Sequence, residues 1–210
     1  SSEAAVVMEN TTNTILYSKN ADEVLFPGST VKIMTCLLAL ENTQLTDEVT
    51  MTATGVSGVT DGGASISSQV DEVFTVEQCL YAIMVASAND IALQIAEHVG
   101  GSVDGFVQQM NTRAQELGCT NTVFTNPTGL PDDNQHTTAH DMALIMQAAI
   151  QNESFRTIAA ATSYTIPATN KAAARNLTSK FTMTDTGSTG FYEGCIGGKE
   201  GYTEASGSTL

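Results

Sequence analysis

Apolar residues along the 210-residue chain change their spacing several times, and each change marks an expected element. The run Ala4-Ala5-Val6-Val7-Met8, the polar turn Asn10-Thr11-Thr12-Asn13 and the run Thr14-Ile15-Leu16-Tyr17 predict a strand, a turn and a returning strand. After Pro27-Gly28, the segment Ser29 to Leu40 carries Val31, Ile33, Met34, Leu37, Leu38 and Leu40 with no interior Gly or Pro. That pattern predicts a mostly buried helix opening at Ser29. A Gly- and Ser-rich stretch from Gly55 to Ser68 follows, and Thr75 with Gln78 then gives a capping box ahead of Leu80, Ile83, Met84 and Val85. This second helical pattern is interrupted at Ser87-Ala88-Asn89-Asp90 and resumes through Ile91, Leu93, Ile95 and Val99 to Gly100-Gly101. A polar break between two apolar runs calls for a reason.

Ser102 is placed to cap a third helix ending at Gly118, and Thr138 with Asp141 to cap a fourth running to Ile150, with the loop Asn126 to Pro131 between them. From Ser163-Tyr164-Thr165-Ile166 the β-branched content rises, and Cys195-Ile196-Gly197-Gly198-Lys199 leads into an expected strand bearing Tyr202 and Thr203. Strands at both ends around a helical middle predict an α/β lobe, residues 1-28 and 155-210, with a helical lobe, 29-154, inserted. Composition narrows the function classes. Lys and Arg number 8 against 23 Asp and Glu, a formal charge of -15 that repels phosphate backbones and anionic lipid, so nucleic acid is not an expected partner. No apolar run reaches the roughly 18 to 20 residues of a spanning helix. There is no initiating Met and no leader pattern, so any signal peptide is expected to lie outside these residues.

Cys36, Cys79, Cys119 and Cys195 lack C-x-x-C and zinc-ligand spacing. Cys36 and Cys79 fall within apolar helical patterns and are expected to be free core thiols, although an exported protein could pair any two of the four. His98, His136 and His140 suit surface or capping positions, and Met34, Met84, Met142 and Met146 suit a core. Neither a metal nor a cofactor is implied. Chemistry enters with Ser29 and Lys32, three apart, which puts the Lys amine one turn along on the same face as the hydroxyl. A Ser needs a neighbour to take its proton, and a Lys does so when burial or a nearby cation lowers its pKa. Alone, S-x-x-K fits a mere helix cap. It is joined by Ser87-Ala88-Asn89 (S-x-N, otherwise a turn or cap pair) and Lys199-Glu200-Gly201 (K-x-G, otherwise a solvated strand end). That order matches the S-x-x-K, S-x-N and K-T-G of the serine penicillin-recognising enzymes.

Further segments carry a more specific resemblance: Met110-Asn111 with Leu117-Gly118, Thr122-Val123-Phe124-Thr125-Asn126-Pro127-Thr128-Gly129-Leu130, and Thr137-Thr138-Ala139-His140-Asp141-Met142-Ala143. The chain resembles the D-alanyl-D-alanine carboxypeptidase family of low-molecular-mass penicillin-binding proteins over nearly its whole length. The resemblance implies an α/β fold with an antiparallel sheet lobe from both chain ends and an all-helical insert. It implies Ser29 as acylated nucleophile, Lys32 as general base, Ser87 as proton relay, and Asn89, Lys199, Glu200 and Gly201 around the substrate. The backbone N–H groups of Ser29 and Tyr202 would form the oxyanion hole. Implied partners are peptidoglycan peptides ending in D-Ala-D-Ala and β-lactam antibiotics. The implied location is extracytoplasmic, secreted or associated with a bacterial envelope, with membrane attachment only through segments outside these residues. Two departures stand out. Glu200 replaces a Thr hydroxyl, and either strand alternation turns it away from Lys199 or the two form a pair. The family pattern is also expected to continue past Leu210 into further strands, a closing helix and a carboxylate-binding Arg. A class A-like β-lactamase is the nearest alternative, but no Glu lies between Glu116 and Glu153 to serve deacylation. The other alternative is a protein of this fold with catalysis weakened by Glu200.

Overall fold

The computed structural model describes residues 2–59 and 63–210. Ser1 lies outside the described residues, as do Thr60 to Gly62 of the Gly- and Ser-rich stretch. The chain opens with β1 (Ala5–Met8) and β2 (Ile15–Lys19), antiparallel from Ala5 opposite Lys19 to Met8 opposite Ile15. Glu9 shapes the turn by accepting hydrogen bonds from the backbone N–H of Thr11 and Thr12, and Asn13 takes a φ of +58°, which Asn tolerates better than most residues. Leu16 and Tyr17 of β2 stay exposed, so this strand's apolar content is not core content.

A 3-10 turn (Gly28–Val31) runs into α1 (Lys32–Asn42). The helix expected to open at Ser29 therefore begins as a tighter turn and becomes α-helical at Lys32. β3 (Glu48–Thr50) and α2 (Ala53–Ser57) precede β4 (Val73–Thr75), which pairs with β3. The inserted stretch, expected to be all helical, thus also carries a short strand pair. α3 (Val76–Val85) starts on the full Thr75–Gln78 capping box, an arrangement that contributes about 1 kcal/mol. α4 (Asn89–Gly100) ends at Gly101 with φ +72°, and α5 (Val103–Glu116) starts where the Ser102 hydroxyl accepts from Gly105 N–H. α6 (Ala139–Ala149) is capped by Thr138 as expected, while α7 (Glu153–Ala159), capped by Asn152, was too short for the apolar pattern to reveal.

Strand pairs β5 (Ser163–Ile166) with β6 (Arg175–Thr178), and β7 (Gly201–Thr203) with β8 (Gly207–Thr209), complete the antiparallel strands near the C-terminal end. Among the described residues the strands form four separate two-stranded pairs. The core lies among the helices. α1 is packed by α3, α4, α5, α6 and α7, which is why it is apolar nearly all round. Met34 and Leu80, with Ile83, Ile91 and Ile95, are buried there, each contributing roughly 1.5 to 3 kcal/mol. The buried Glu72, before β4, receives both Arg175 guanidinium nitrogens, at 2.8 and 3.0 Å, and so ties the C-terminal part of the chain to the middle.

Candidate active site

The polar break in the helical pattern is a sharp reversal. Ser87 takes a left-handed φ of +57°, Ala88 is extended with its N–H bonded to the Ala82 carbonyl, and α4 starts at Asn89, whose N–H donates to Ala64 O at 2.7 Å. The turn brings the Asn89 side chain to Lys32 at the start of α1.

Ser29 sits in the 3-10 turn, half-buried, and its hydroxyl is not spent on capping, because neither this turn nor α1 has a side-chain cap. The cap-only reading therefore fails. Lys32 is completely buried, and its Nζ lies 3.3 Å from Ser29 Oγ and 2.7 Å from Asn89 Oδ1, with a third short contact to the Thr128 carbonyl. An ammonium has three N–H donors, so each finds an acceptor. Burial first, and then the positive charge of Lys199, lowers the Lys32 pKa from 10.5 to about 7. At neutral pH a sizeable fraction of Lys32 is an uncharged amine beside a hydroxyl. A neutral amine has two N–H bonds and one lone pair. Asn89 Oδ1 and Thr128 O only accept, which leaves Ser29 as the neighbour able to donate a proton to nitrogen.

Lys199 is also buried, and burial lowers its pKa while Glu200 opposes the shift. Its Nζ donates to the Glu200 carbonyl at 2.6 Å and lies 3.3 Å from Glu200 Oε2. Lys199 and Glu200 precede β7, so strict alternation does not apply, and of the two expected outcomes the pair is the one that forms. Gly201 begins β7 directly against Ser29. A Cβ there would stand 2.7 Å from Ser29 N and 3.1 Å from Ser29 Cβ, a fit that only glycine allows. Tyr202 follows with its ring exposed. Ser87, half-buried, makes no hydrogen bond to Ser29, Lys32 or Lys199 among the described residues.

Two neighbours of Lys32 were given no place in the site by the sequence. Cys36, one turn below Lys32, is buried with its thiol pushed up to about 12 by burial, so it stays protonated and does not compete as a nucleophile. The Thr128 carbonyl belongs to the Asn126-Pro127-Thr128-Gly129-Leu130 segment, whose residue types stood out although no role followed from them. All four cysteines are free. His136 Nδ1 meets the Asn134 carbonyl and His140 Nδ1 meets Asp22, in line with surface positions, and no cluster of metal-ligating side chains occurs among the described residues.

The family model described as D-alanyl-D-alanine carboxypeptidase matches residues 1–210. Among curated relatives, the D-alanyl-D-alanine carboxypeptidase DacF of Bacillus subtilis is 38% identical over 156 residues, covering 72% of this chain and 39% of the relative. The D-alanyl-D-alanine carboxypeptidase of Mycobacterium tuberculosis, DacB2, is 33% identical over 189 residues, covering 88% of this chain and 60% of the relative. The chain therefore spans less than two thirds of either relative. Among solved structures, the Streptomyces K15 DD-transpeptidase superposes with a TM-score of 0.89 at 29% identity, covering 98% of this chain and 82% of that one.

Proposed function

The chain belongs to the D-alanyl-D-alanine carboxypeptidase family, and from that membership we propose that it is the catalytic part of a serine-type carboxypeptidase acting on peptidoglycan stem peptides outside the cytoplasm. Neutral Lys32 takes the Ser29 proton as Oγ attacks the carbonyl of the penultimate D-alanine. The oxyanion is held by the backbone N–H groups of Ser29 and Tyr202. As the C–N bond breaks, the leaving D-alanine amine receives the proton from Lys32 through the Ser87 hydroxyl. Water, deprotonated in turn by Lys32, then hydrolyses the Ser29 ester and frees the shortened peptide. Asn89 orients the peptide amide, and Lys199 supplies positive charge for the terminal carboxylate. A β-lactam acylates the same hydroxyl and leaves slowly.

The observation that carries this reading is the buried Lys32 amine within reach of an uncapped Ser29 hydroxyl, fixed by Asn89 and Thr128. The test is intact-mass analysis after incubation with benzylpenicillin, followed by peptide mapping. A stable adduct on Ser29 supports acyl transfer. Absence of an adduct, or an adduct on another residue, would refute it. The Lys199 and Glu200 pair favours one variant of this reading, in which activity on D-Ala-D-Ala is weaker than a hydroxyl at position 200 would allow.

A further inference from the structure

Besides Ser29, Lys32 Nζ meets two acceptors from distant parts of the chain, and of these only Asn89 belongs to one of the three catalytic motifs. The other, the Thr128 carbonyl, comes from a loop without regular secondary structure, whose shape must rest on side chains. Two primary amides supply it. Asn126 Oδ1 accepts from Thr128 N–H at 3.1 Å, from the Thr128 hydroxyl at 2.8 Å and from Gly129 N–H at 2.9 Å, while Asn126 Nδ2 donates to Leu130 O at 3.1 Å. Gln135, buried, accepts with Oε1 from the N–H groups of Thr125 and Asn126, both at 3.2 Å, and donates with Nε2 to Leu130 O at 3.1 Å.

The closed loop is seated directly on the nucleophile's turn. Thr35 of α1 donates its hydroxyl to Pro127 O at 2.8 Å. A Cβ on Gly129, whose φ is +84°, would lie 1.9 Å from Gly28 O and 2.9 Å from Ser29 N. No side chain fits between the loop and the Ser29 backbone.

We infer that Asn126 and Gln135 are positioning residues for the acyl transfer, holding the Thr128 carbonyl on Lys32 so that the amine's lone pair faces the Ser29 hydroxyl. The inference rests on Lys32 acting as the base. With both N–H bonds of neutral Lys32 committed to Asn89 and Thr128, the lone pair has one direction left, toward Ser29 Oγ. Without the Thr128 carbonyl, one N–H is free to swing toward Ser29, and the lone pair turns away. The same carbonyl favours the charged amine, so losing it also lowers the pH at which Lys32 becomes neutral. The other titratable groups acting on Lys32 are Cys36 on its own helix and Lys199 and Glu200 before β7, and replacing either amide by Ala leaves all three in place.

The test measures the rate of benzylpenicillin acylation by intact mass from about pH 5 to about pH 9 in wild type, Asn126→Ala, Asn126→Asp and Gln135→Ala. Asn126→Ala is expected to lower the plateau rate at least about tenfold and to move the acidic limb to lower pH, with the adduct still on Ser29. Asn126→Asp keeps the acceptor that binds Thr128 and Gly129 and is expected to restore most of the rate. Gln135→Ala should move the limb in the same direction by less, and it carries the test if Asn126→Ala does not fold. A folded variant with rate and limb unchanged overturns the inference. So does a lower rate with an unmoved limb, since a smaller folded fraction scales the profile without shifting it. A wild type that takes up no penicillin overturns the acyl-transfer reading and this inference together, whereas a reactive wild type with indifferent variants overturns only the inference.

Discussion

Replacing Glu200 by Thr is expected to raise kcat/KM on a peptide ending in D-Ala-D-Ala at least about tenfold, close to 1.4 kcal/mol. The Lys199 side chain is inaccessible, and the ammonium lies 3.3 Å from Glu200 Oε2, so its charge has a partner before substrate arrives. A substrate carboxylate about 4 Å from Lys199 gains on the order of 4 kcal/mol at an effective dielectric near 20, and Glu200 at a comparable distance takes a similar amount away. The two nearly cancel. Thr removes the repulsive half and adds a hydroxyl donor, and a hydrogen bond to a charged acceptor contributes about 1.5 to 3 kcal/mol. Because the Glu200 side chain is 24% exposed, solvent screens part of its charge, and the expected gain sits well below the sum of these contributions. The assay is steady-state release of D-alanine from a short peptide by wild type, Glu200→Thr and Glu200→Gln. Gln removes the charge at nearly constant length and should recover part of the gain. If kcat/KM in folded Glu200→Thr is unchanged or lower, the substrate carboxylate does not feel Glu200, and the electrostatic argument is wrong.

Ser29→Ala should abolish penicillin labelling and Lys32→Ala slow it at least about a hundredfold, as loss of a general base would; labelling of Ser29→Ala at the original rate removes the nucleophile assignment. Lys32 also carries a stability cost with a defined sign. Its folded pKa of about 7 lies below the ordinary 10.5, so between these values the unfolded chain holds a proton that the folded chain lacks. Stability associated with Lys32 is thus full above pH 10.5 and lost as pH falls to about 7, by on the order of 5 kcal/mol. Lys32→Met, which cannot charge, should therefore gain stability relative to wild type between about pH 10 and pH 6 in denaturant titrations; a constant difference across that range refutes the shift. Cys36 and Cys79 should both alkylate under denaturing, non-reducing conditions, and finding either in a disulfide contradicts the free-thiol core.

Local signals in the sequence were reliable where a few neighbouring residues determine structure. The Thr75–Gln78 capping box, the Ser102 and Thr138 caps and the stop at Gly100-Gly101 depend on contacts within one turn, and each lies where the residue types placed it. Spacing likewise placed Lys32 beside Ser29, because three residues along a helical turn bring two side chains to one face. Local pattern failed where the deciding partner is distant. β3 and β4, like β8, are strands of three residues, too short for alternation to register, although β7 falls where Tyr202 and Thr203 placed it, and β2 keeps apolar residues exposed that a pattern alone would bury. The site shows the same division. The sequence named Ser29, Lys32, Ser87, Asn89 and Lys199, but a motif says nothing about charge state. Lys32 is an ordinary lysine until α1 is enclosed by other helices, Lys199 is brought near, and Asn89 and Thr128 arrive from positions 57 and 96 residues away. Desolvation and long-range charge act through space, and only the folded chain decides which groups share that space.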